Sequence, residues 1–172
     1  MQTMNKPTYS AIQQHSDNKP VLVFVASRRQ TRLTALELIA LAAADNGKSF
    51  VLKDENLVLE AASRCKDPAL RQTLAFGVGI HHAGLSVKDR QIVEEMFLNN
   101  RIQVLVCTAT LAWGVNFPCR LVIIKGTEFF DPKQKRYVDF AITDVIIVSF
   151  FLFLFLSSSR MKFDLFQLRF ST

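Results

Sequence analysis

Three short stretches of the chain consist almost entirely of apolar, largely β-branched residues. They are VLVFVAS at residues 21–27, IQVLVC at 102–107 and LVIIK at 121–125. An unbroken apolar run of this length is typical of a strand that is buried on both faces, as in a parallel sheet. A fourth stretch, VGIHHAG at residues 78–84, predicts a short strand that leads into a glycine turn. Together the four segments predict a parallel sheet.

Segments with helical periodicity separate these strands. Residues 30–45 carry apolar side chains three and four positions apart, and residues 56–76 predict two short helices with a break near Pro68. Ser86 is the expected cap of a further helix that runs to about Asn100. Strands that alternate with helices in this way indicate βαβ units. The predicted fold class is therefore α/β, a three-layer parallel sheet with helices on both faces.

Changes in composition divide the chain into three parts. Residues 1–19 are polar and predict a loop or a short helix, residues 20–144 form one predicted domain, and residues 145–172 are a hydrophobic tail rich in Phe, Leu and Ser. The apolar run at 145–156 is shorter than the roughly 20 residues that cross a bilayer. Three interpretations of the tail remain open. It is a translated intron or frame-shifted end, a genuine strand or helix that completes a core, or a membrane anchor.

Composition narrows the candidate functions only slightly. A chain of 172 residues suits one domain, and a net charge of +6 permits a nucleic-acid partner without requiring one. The three cysteines and three histidines form no C-x-x-C pair and no four-ligand metal pattern, so no metal site is predicted. The cysteine content suits a reducing compartment, and the polar N-terminus lacks the apolar region of a secretory signal.

The first candidate for binding chemistry lies where the first predicted strand ends. Ser27, Arg28 and Arg29 follow that strand directly. Ligands of open parallel sheets bind at the carboxyl edge of the strands, and guanidinium groups suit phosphate oxygens. The alternative interpretation is an ordinary solvated start of a helix.

The second candidate is the segment GIHHAGLSVKDR. Its two adjacent histidines, His81 and His82, should point to opposite faces of a strand, which makes them poor joint ligands of a metal. Ala83 and Gly84 predict a tight turn where backbone can approach a ligand closely. The alternative is that one histidine packs inside and the other forms a hydrogen bond at the surface.

The third candidate is the segment VLVCTATLAWGVNFP. A buried strand delivers Thr108 and Thr110 into a loop that continues to Gly114 and Asn116. Hydroxyl groups and free backbone N–H groups at a strand end suit phosphate oxygens. Trp113 is either a stacking platform for a base or a core residue.

The order and spacing of these three segments resemble a known family. VFVASRRQT resembles helicase motif IV, GIHHAGL resembles the histidine-containing motif of Ski/Mtr-related DExH-box RNA helicases, and TATLAWGVNFP resembles motif V. The resemblance covers about residues 4–145 and corresponds to the second RecA-like lobe. Within that class the flanking segments are most similar to the large spliceosomal helicase that unwinds paired small nuclear RNAs, with its activating-signal-cointegrator relative as the near alternative.

The resemblance implies that two RecA-like lobes clamp ATP and hold one RNA strand across their tops. Such contacts position the RNA backbone without reading its sequence. The resemblance assigns no catalytic residue to this chain. It implies RNA contacts for Ser27, Arg28, His82, Ala83, Gly84 and Thr108, and nucleotide contacts for Gly114 and Asn116.

The sequence also departs from the family pattern. It contains no G-x-x-x-x-G-K-[ST] phosphate loop, and the helix that carries a Gly-Arg motif in the family is replaced after ITDV by IIVSFFLFLFL. The lobe is therefore expected to be incomplete at its C-terminus. In the intact family the cofactors are ATP and Mg²⁺, and this chain alone is expected to hold neither and to hydrolyse no ATP.

The expected partner is single-stranded RNA, bound weakly. A first helicase lobe and spliceosomal proteins are further candidate partners, and no membrane is expected to take part. The resemblance implies a nuclear location, with the cytosol as the alternative. A non-catalytic scaffold module and a non-functional splice by-product remain alternative functions.

Overall fold

The structure is a computed structural model that describes residues 4–108 and 119–125, together with the backbone of three later strands. Its helices are α1 Asn5–His15, α2 Arg28–Ala44, α3 Glu55–Arg64, α4 Pro68–Leu74 and α5 Val87–Leu98. Its strands are β1 Val21–Val25, β2 Val78–His81, β3 Val104–Cys107, β4 Leu121–Lys125, β5 Glu128–Asp131, β6 Arg136–Asp139 and β7 Asp164–Leu168.

Five strands form one parallel sheet in the order β2-β3-β1-β4-β7. Val21 at the start of β1 lies opposite Val104 of β3 on one side and Leu121 of β4 on the other. All residues of β1 to β4 are buried, which agrees with their apolar sequences. The predicted parallel sheet is thus confirmed.

Three strands were not predicted from the sequence. β5 and β6 form a separate antiparallel pair, and β7 adds a parallel edge strand beside β4. β7 lies within the predicted tail. The predicted domain boundaries at residues 19 and 144, and the origin of the tail, stay predictions, because most of residues 140–172 lie outside the described part.

Helices cover both faces of the sheet, as predicted. A Cβ atom built on Gly79 of β2 would lie 2.4 Å from Cγ2 of Val93, so this position faces α5. The next residue, Ile80, faces the opposite side, where it lines a cleft together with residues of α2 and α4. Because successive side chains of a strand point to opposite faces, α5 lies on one face and α2 and α4 on the other.

Side-chain caps set the starts of the central helices. The Ser27 hydroxyl accepts a hydrogen bond from the Gln30 N–H at 3.3 Å, so α2 begins at Arg28, two residues before the predicted start. The predicted cap at Ser86 is confirmed, since its hydroxyl accepts from the Asp89 N–H at 3.1 Å. The two short helices predicted before β2 are α3 and α4, and they are separated near Pro68 as expected.

The polar N-terminal segment was predicted as a loop or a short helix, and it forms the helix α1. This helix packs against α2 and β4. Ile12 is fully buried and belongs to the common core. The Tyr9 hydroxyl donates a hydrogen bond to Asp45 at 2.9 Å, and burial together with this bond raises the pKa of Tyr9 to about 12.

No helix among the described residues is long and apolar enough to cross a membrane.

A buried lysine joins α1, α2 and β4. Lys125 is the last residue of β4 and is 4% exposed. Its Nζ donates hydrogen bonds to Oδ1 of Asn5 in α1 and, at 2.7 Å, to the Thr34 hydroxyl in α2. Burial lowers the pKa of Lys125 to about 8, although Glu37 of α2 acts in the opposite direction. Removal of the charge from water therefore outweighs the attraction of the nearby carboxylate.

We expect the charge of Lys125 to oppose folding below its folded-state pKa. Between about pH 8 and pH 10.5 the unfolded chain binds more protons at this lysine than the folded chain, so its contribution to stability rises with pH. The free energy of unfolding of the wild type relative to Lys125→Met should rise by about 1–3 kcal/mol across this window. Urea denaturation at several pH values measures this difference.

Other groups contribute less to stability as the pH rises, and their contributions cancel because they are the same in the wild type and in Lys125→Met. Burial raises the pKa of the three thiols, so their contribution to stability falls as the pH rises above their ordinary value. A difference between the two proteins that does not change with pH would contradict the prediction for the lysine. The thiols concerned are those of Cys65, Cys107 and Cys119.

Candidate nucleic-acid interface

The residues that directly follow three strands lie together at the carboxyl edge of the sheet. β2, β3 and β1 are parallel neighbours, so the residues that follow them emerge on the same side. The Thr108 N–H, just after β3, donates a hydrogen bond to the carbonyl oxygen of His81 at 3.2 Å. Thr108 therefore lies beside the turn that follows β2. The fold brings together all the positions for which the sequence implied RNA contacts.

Arg28 lies directly against the turn that follows β2. A Cβ atom built on Gly84 would lie 3.0 Å from Nη1 of Arg28 and 3.2 Å from Nδ1 of His82. A larger residue at this position would press on the guanidinium group. The Leu85 N–H closes the turn by donating to the His82 carbonyl oxygen at 3.1 Å. Ala83 and Gly84 are exposed at the tip of the turn, beside the exposed Arg28.

His82 is positioned as a neutral hydrogen-bond donor. Its Nδ1 accepts a hydrogen bond from the Gly84 N–H at 3.1 Å, which leaves the proton of the neutral ring on Nε2. Burial and the nearby charge of Arg28 lower the pKa of His82, while Asp67 acts in the opposite direction. The ring is therefore uncharged at neutral pH, and it lines the cleft on the α2 and α4 side of the sheet.

His81 points to the other face, as the sequence predicted for adjacent histidines on a strand. Its Nε2 lies 2.7 Å from Oε1 of Glu94 in α5, and the residue is buried. Burial lowers the pKa of His81 against the opposing effect of Glu94. Nδ1 of His81 and Nε of Arg90 are buried without a hydrogen-bond partner among the described residues. One histidine is thus packed inside and the other lies near the surface, which was the alternative interpretation of this pair.

An open cleft of about 390 Å³ adjoins this edge of the sheet, between α2 and α4. Among the lining residues, Arg29 belongs to the binding candidate that the sequence predicted at the end of β1, whereas Arg32 and Gln72 were not predicted. The sequence did carry a signal for Arg32. α2 starts at the strand edge with Arg28, and basic residues follow one and four positions later. We call this feature the α2–α4 cleft, and it is lined by Arg28, Arg29, Arg32, Asp67, Pro68, Ala69, Gln72, Ile80 and His82.

A buried carboxylate fixes the α4 wall of the cleft. Asp89 of α5 is 2% exposed and accepts hydrogen bonds from the N–H groups of Lys66 at 2.8 Å and Asp67 at 3.2 Å. The Arg71 guanidinium also holds this loop by donating to the Cys65 carbonyl oxygen at 2.7 and 3.1 Å. The helix on one face of the sheet thereby anchors the start of the helix on the other face.

The predicted nucleotide-contacting positions, Gly114 and Asn116, lie outside the described residues, as do Thr110 and Trp113. Within the described ranges, no group of three or more His, Cys, Asp or Glu side chains is placed to hold a metal ion. The roles expected for ATP and Mg²⁺ stay predictions.

The parallel sheet with helices on both faces agrees with one known protein family. Residues 5–138 match the family described as Helicase conserved C-terminal domain, and the chain belongs to this family. The family match confirms the predicted resemblance to the C-terminal lobe of a helicase.

Several curated proteins are similar to the chain over most of its length. "Activating signal cointegrator 1 complex subunit 3" of Bos taurus is 60% identical over 147 residues, and "DExH-box ATP-dependent RNA helicase DExH14" of Arabidopsis thaliana is 59% identical over 147 residues. "RQC trigger complex helicase SLH1" of Saccharomyces cerevisiae is 54% identical over 148 residues. Each match covers 85% of this chain but only 7% or 8% of the relative. The chain thus spans less than a tenth of the length of these proteins.

The role of Asp89 as an anchor can be tested with an isosteric change. Asp89→Asn replaces one carboxylate oxygen with an amide group that cannot accept a backbone hydrogen bond, so we expect a loss of about 1–3 kcal/mol in the free energy of unfolding. The matched control is Asp54→Asn. Asp54 pairs with Arg101 at 3.2 Å with its side chain 46% exposed, and such pairs contribute about 1 kcal/mol or less. Equal losses in urea denaturation would show that Asp89 contributes no more to stability than an exposed ion pair does, and would contradict its role as an anchor.

Proposed function

We propose that this chain acts as the RNA-contacting second lobe of a DExH-box RNA helicase, by gripping the phosphodiester backbone at the carboxyl edge of its sheet. The observation that carries the proposal is the position of the Arg28 guanidinium against the His82–Gly84 turn, beside Thr108. The membership of the helicase C-terminal family supports it.

The chemistry of this edge suits a phosphate backbone. Arg28 supplies a permanent charge and a planar set of donors, and the Nε2–H of His82 supplies a neutral donor. The Ser27 oxygen accepts a hydrogen bond from the Gln30 N–H, and a hydroxyl that accepts one hydrogen bond can still donate its own O–H to a phosphate oxygen. Side chains of this kind contact any nucleotide alike, because they address the backbone and not the base edges.

In this proposal the lobe does not turn over ATP alone. Hydrolysis of ATP by helicases requires a phosphate loop and an acidic Mg²⁺ site, which the family carries on its first lobe. Gly114 and Asn116 would face the nucleotide from this side, and the first lobe would hold its phosphates. The lobe described here would therefore work against a partner lobe, with RNA held across both.

The sequence resembles two helicases of this class, the large spliceosomal helicase and its activating-signal-cointegrator relative. The similarity to activating signal cointegrator 1 complex subunit 3 of Bos taurus favours the activating-signal-cointegrator branch. The assignment to the spliceosomal helicase, with spliceosomal partners and a nuclear location, stays a prediction without support from the relatives reported above.

RNA binding by the purified chain tests the proposal. Contacts with the backbone release counterions, so the logarithm of the binding constant for single-stranded RNA should fall linearly with the logarithm of the salt concentration. Each phosphate contact that is removed should make this slope shallower by about 0.7. We expect Arg28→Gln to reduce this slope by about that amount and to weaken binding roughly threefold to tenfold. Fluorescence anisotropy with oligouridine and oligoadenine measures both quantities, and the two RNAs should behave alike.

The control for Arg28→Gln is Arg64→Gln. Arg64 is exposed in the last turn of α3 and does not line the edge, so its substitution removes the same charge from another surface. If the two variants bind equally, or if binding is insensitive to salt, the proposed contact does not exist. RNA-stimulated ATP turnover that is lost on substitution of Thr108 or Asn116 would contradict the proposed dependence on a first lobe.

A further inference from the structure

Three arginine side chains converge on the α2–α4 cleft. Arg28, Arg29 and Arg32 come from the first two turns of α2 and all line the cleft. In the part of the chain that the structure describes, no acidic side chain forms an ion pair with any of them. Charged groups that are exposed and lack a protein partner are available to a ligand. Arg28 is already placed at the strand edge, whereas Arg29 and Arg32 have no assigned role.

Arg29 and Arg32 form one wall of the cleft. Residues three apart on a helix lie one turn apart on the same side, so their guanidinium groups can address the same ligand. The exposed amide of Gln72 in α4 lies across the cleft, and Ile80 of β2 lies at its floor. The positive end of the α2 backbone dipole, which begins after Ser27, adds to the field at this wall.

The charge in the cleft favours an anion. Three arginines face a single carboxylate among the lining residues, that of Asp67. One oxygen of this carboxylate is already occupied, since Oδ1 accepts from the Leu70 N–H at 2.9 Å. His82 is neutral, so it neither adds to nor cancels the positive charge. The lining side chains therefore carry a net charge of +2, from three cations and one anion.

The size and position of the cleft indicate which anion it takes. A space of about 390 Å³ is larger than a phosphate group and can hold a phosphate with its ribose. His82 and Arg28 line both the cleft and the strand edge, so the two surfaces are continuous. An RNA strand that crosses the edge can therefore turn into the cleft without leaving contact with the protein.

We propose that the α2–α4 cleft binds one phosphodiester group of the same RNA strand, with Arg29 and Arg32 as its ligands. The strand would then leave the sheet edge over α2 instead of passing directly into solvent. This inference rests on the proposed function and adds a second, separate subsite to it. Arg29 and Arg32 would contribute only when the RNA is long enough to reach the cleft from the edge.

The experiment compares two lengths of RNA on Arg29→Gln/Arg32→Gln. An oligouridine of about 4 nucleotides should occupy the edge alone, and one of about 12 should also reach the cleft. For the longer RNA we expect binding to weaken about fivefold to tenfold and the salt slope to fall by about 0.7. For the shorter RNA we expect no change. Gln72→Glu, which keeps both arginines but adds a carboxylate opposite them, should weaken binding of the longer RNA as well.

The matched control is Lys53→Gln/Arg64→Gln, which removes two exposed positive charges that do not line the cleft. If this control weakens binding of the longer RNA as much as the cleft variant does, the effect is one of net charge and the proposal is wrong. If inorganic phosphate binds the wild type as tightly as the longer RNA does, the cleft is a general site for small anions, and the assignment to RNA is overturned. Failure of the wild type to bind either RNA would instead remove the proposed function itself.

Discussion

Backbone hydrogen bonds between the parallel strands β2, β3 and β1 determine which loops of this protein can meet. Their register aligns Val78 with Val104 and Val104 with Val21, so the three strands end nearly level. A shift of one residue would turn every side chain to the opposite face. It would move His82 away from Arg28 and bury it under α5. The candidate interface therefore depends on the packing of the apolar strands more than on any polar contact within it.

α2 connects the core to the candidate interface. Its inner face carries Ala35 and Leu38 into the core and Thr34 onto the ammonium group of Lys125, while its first two turns carry the arginines. A helix held at so many points presents its basic side chains from a rigid base, which lowers the entropy lost when they bind. The same helix is close to α1, so the N-terminal segment also supports the interface.

The fold was largely predictable because the strands β1 to β4 are buried apolar runs and the helices α2, α4 and α5 begin at side-chain caps. Prediction failed where the cause lies far away in the sequence. Nothing near Lys125 indicates that Asn5, 120 residues earlier, accepts its hydrogen bond. The strand-edge residues could be found because each directly follows a strand. Arg32 was indicated only by its spacing from Arg28, because its place in the cleft also depends on α4, whose start is held by Asp89. The β5–β6 pair and β7 are short and carry no clear alternating pattern.

The two adjacent histidines connect the two faces of the sheet. His81 is tied to Glu94 of α5 on one side of the sheet, and His82 faces the basic cleft on the other. They share one peptide unit at the carboxyl end of β2, and its carbonyl oxygen accepts the hydrogen bond from the Thr108 N–H. The histidine paired with Glu94 on the α5 face and the cleft-lining histidine on the α2 and α4 face are thus only one peptide bond apart.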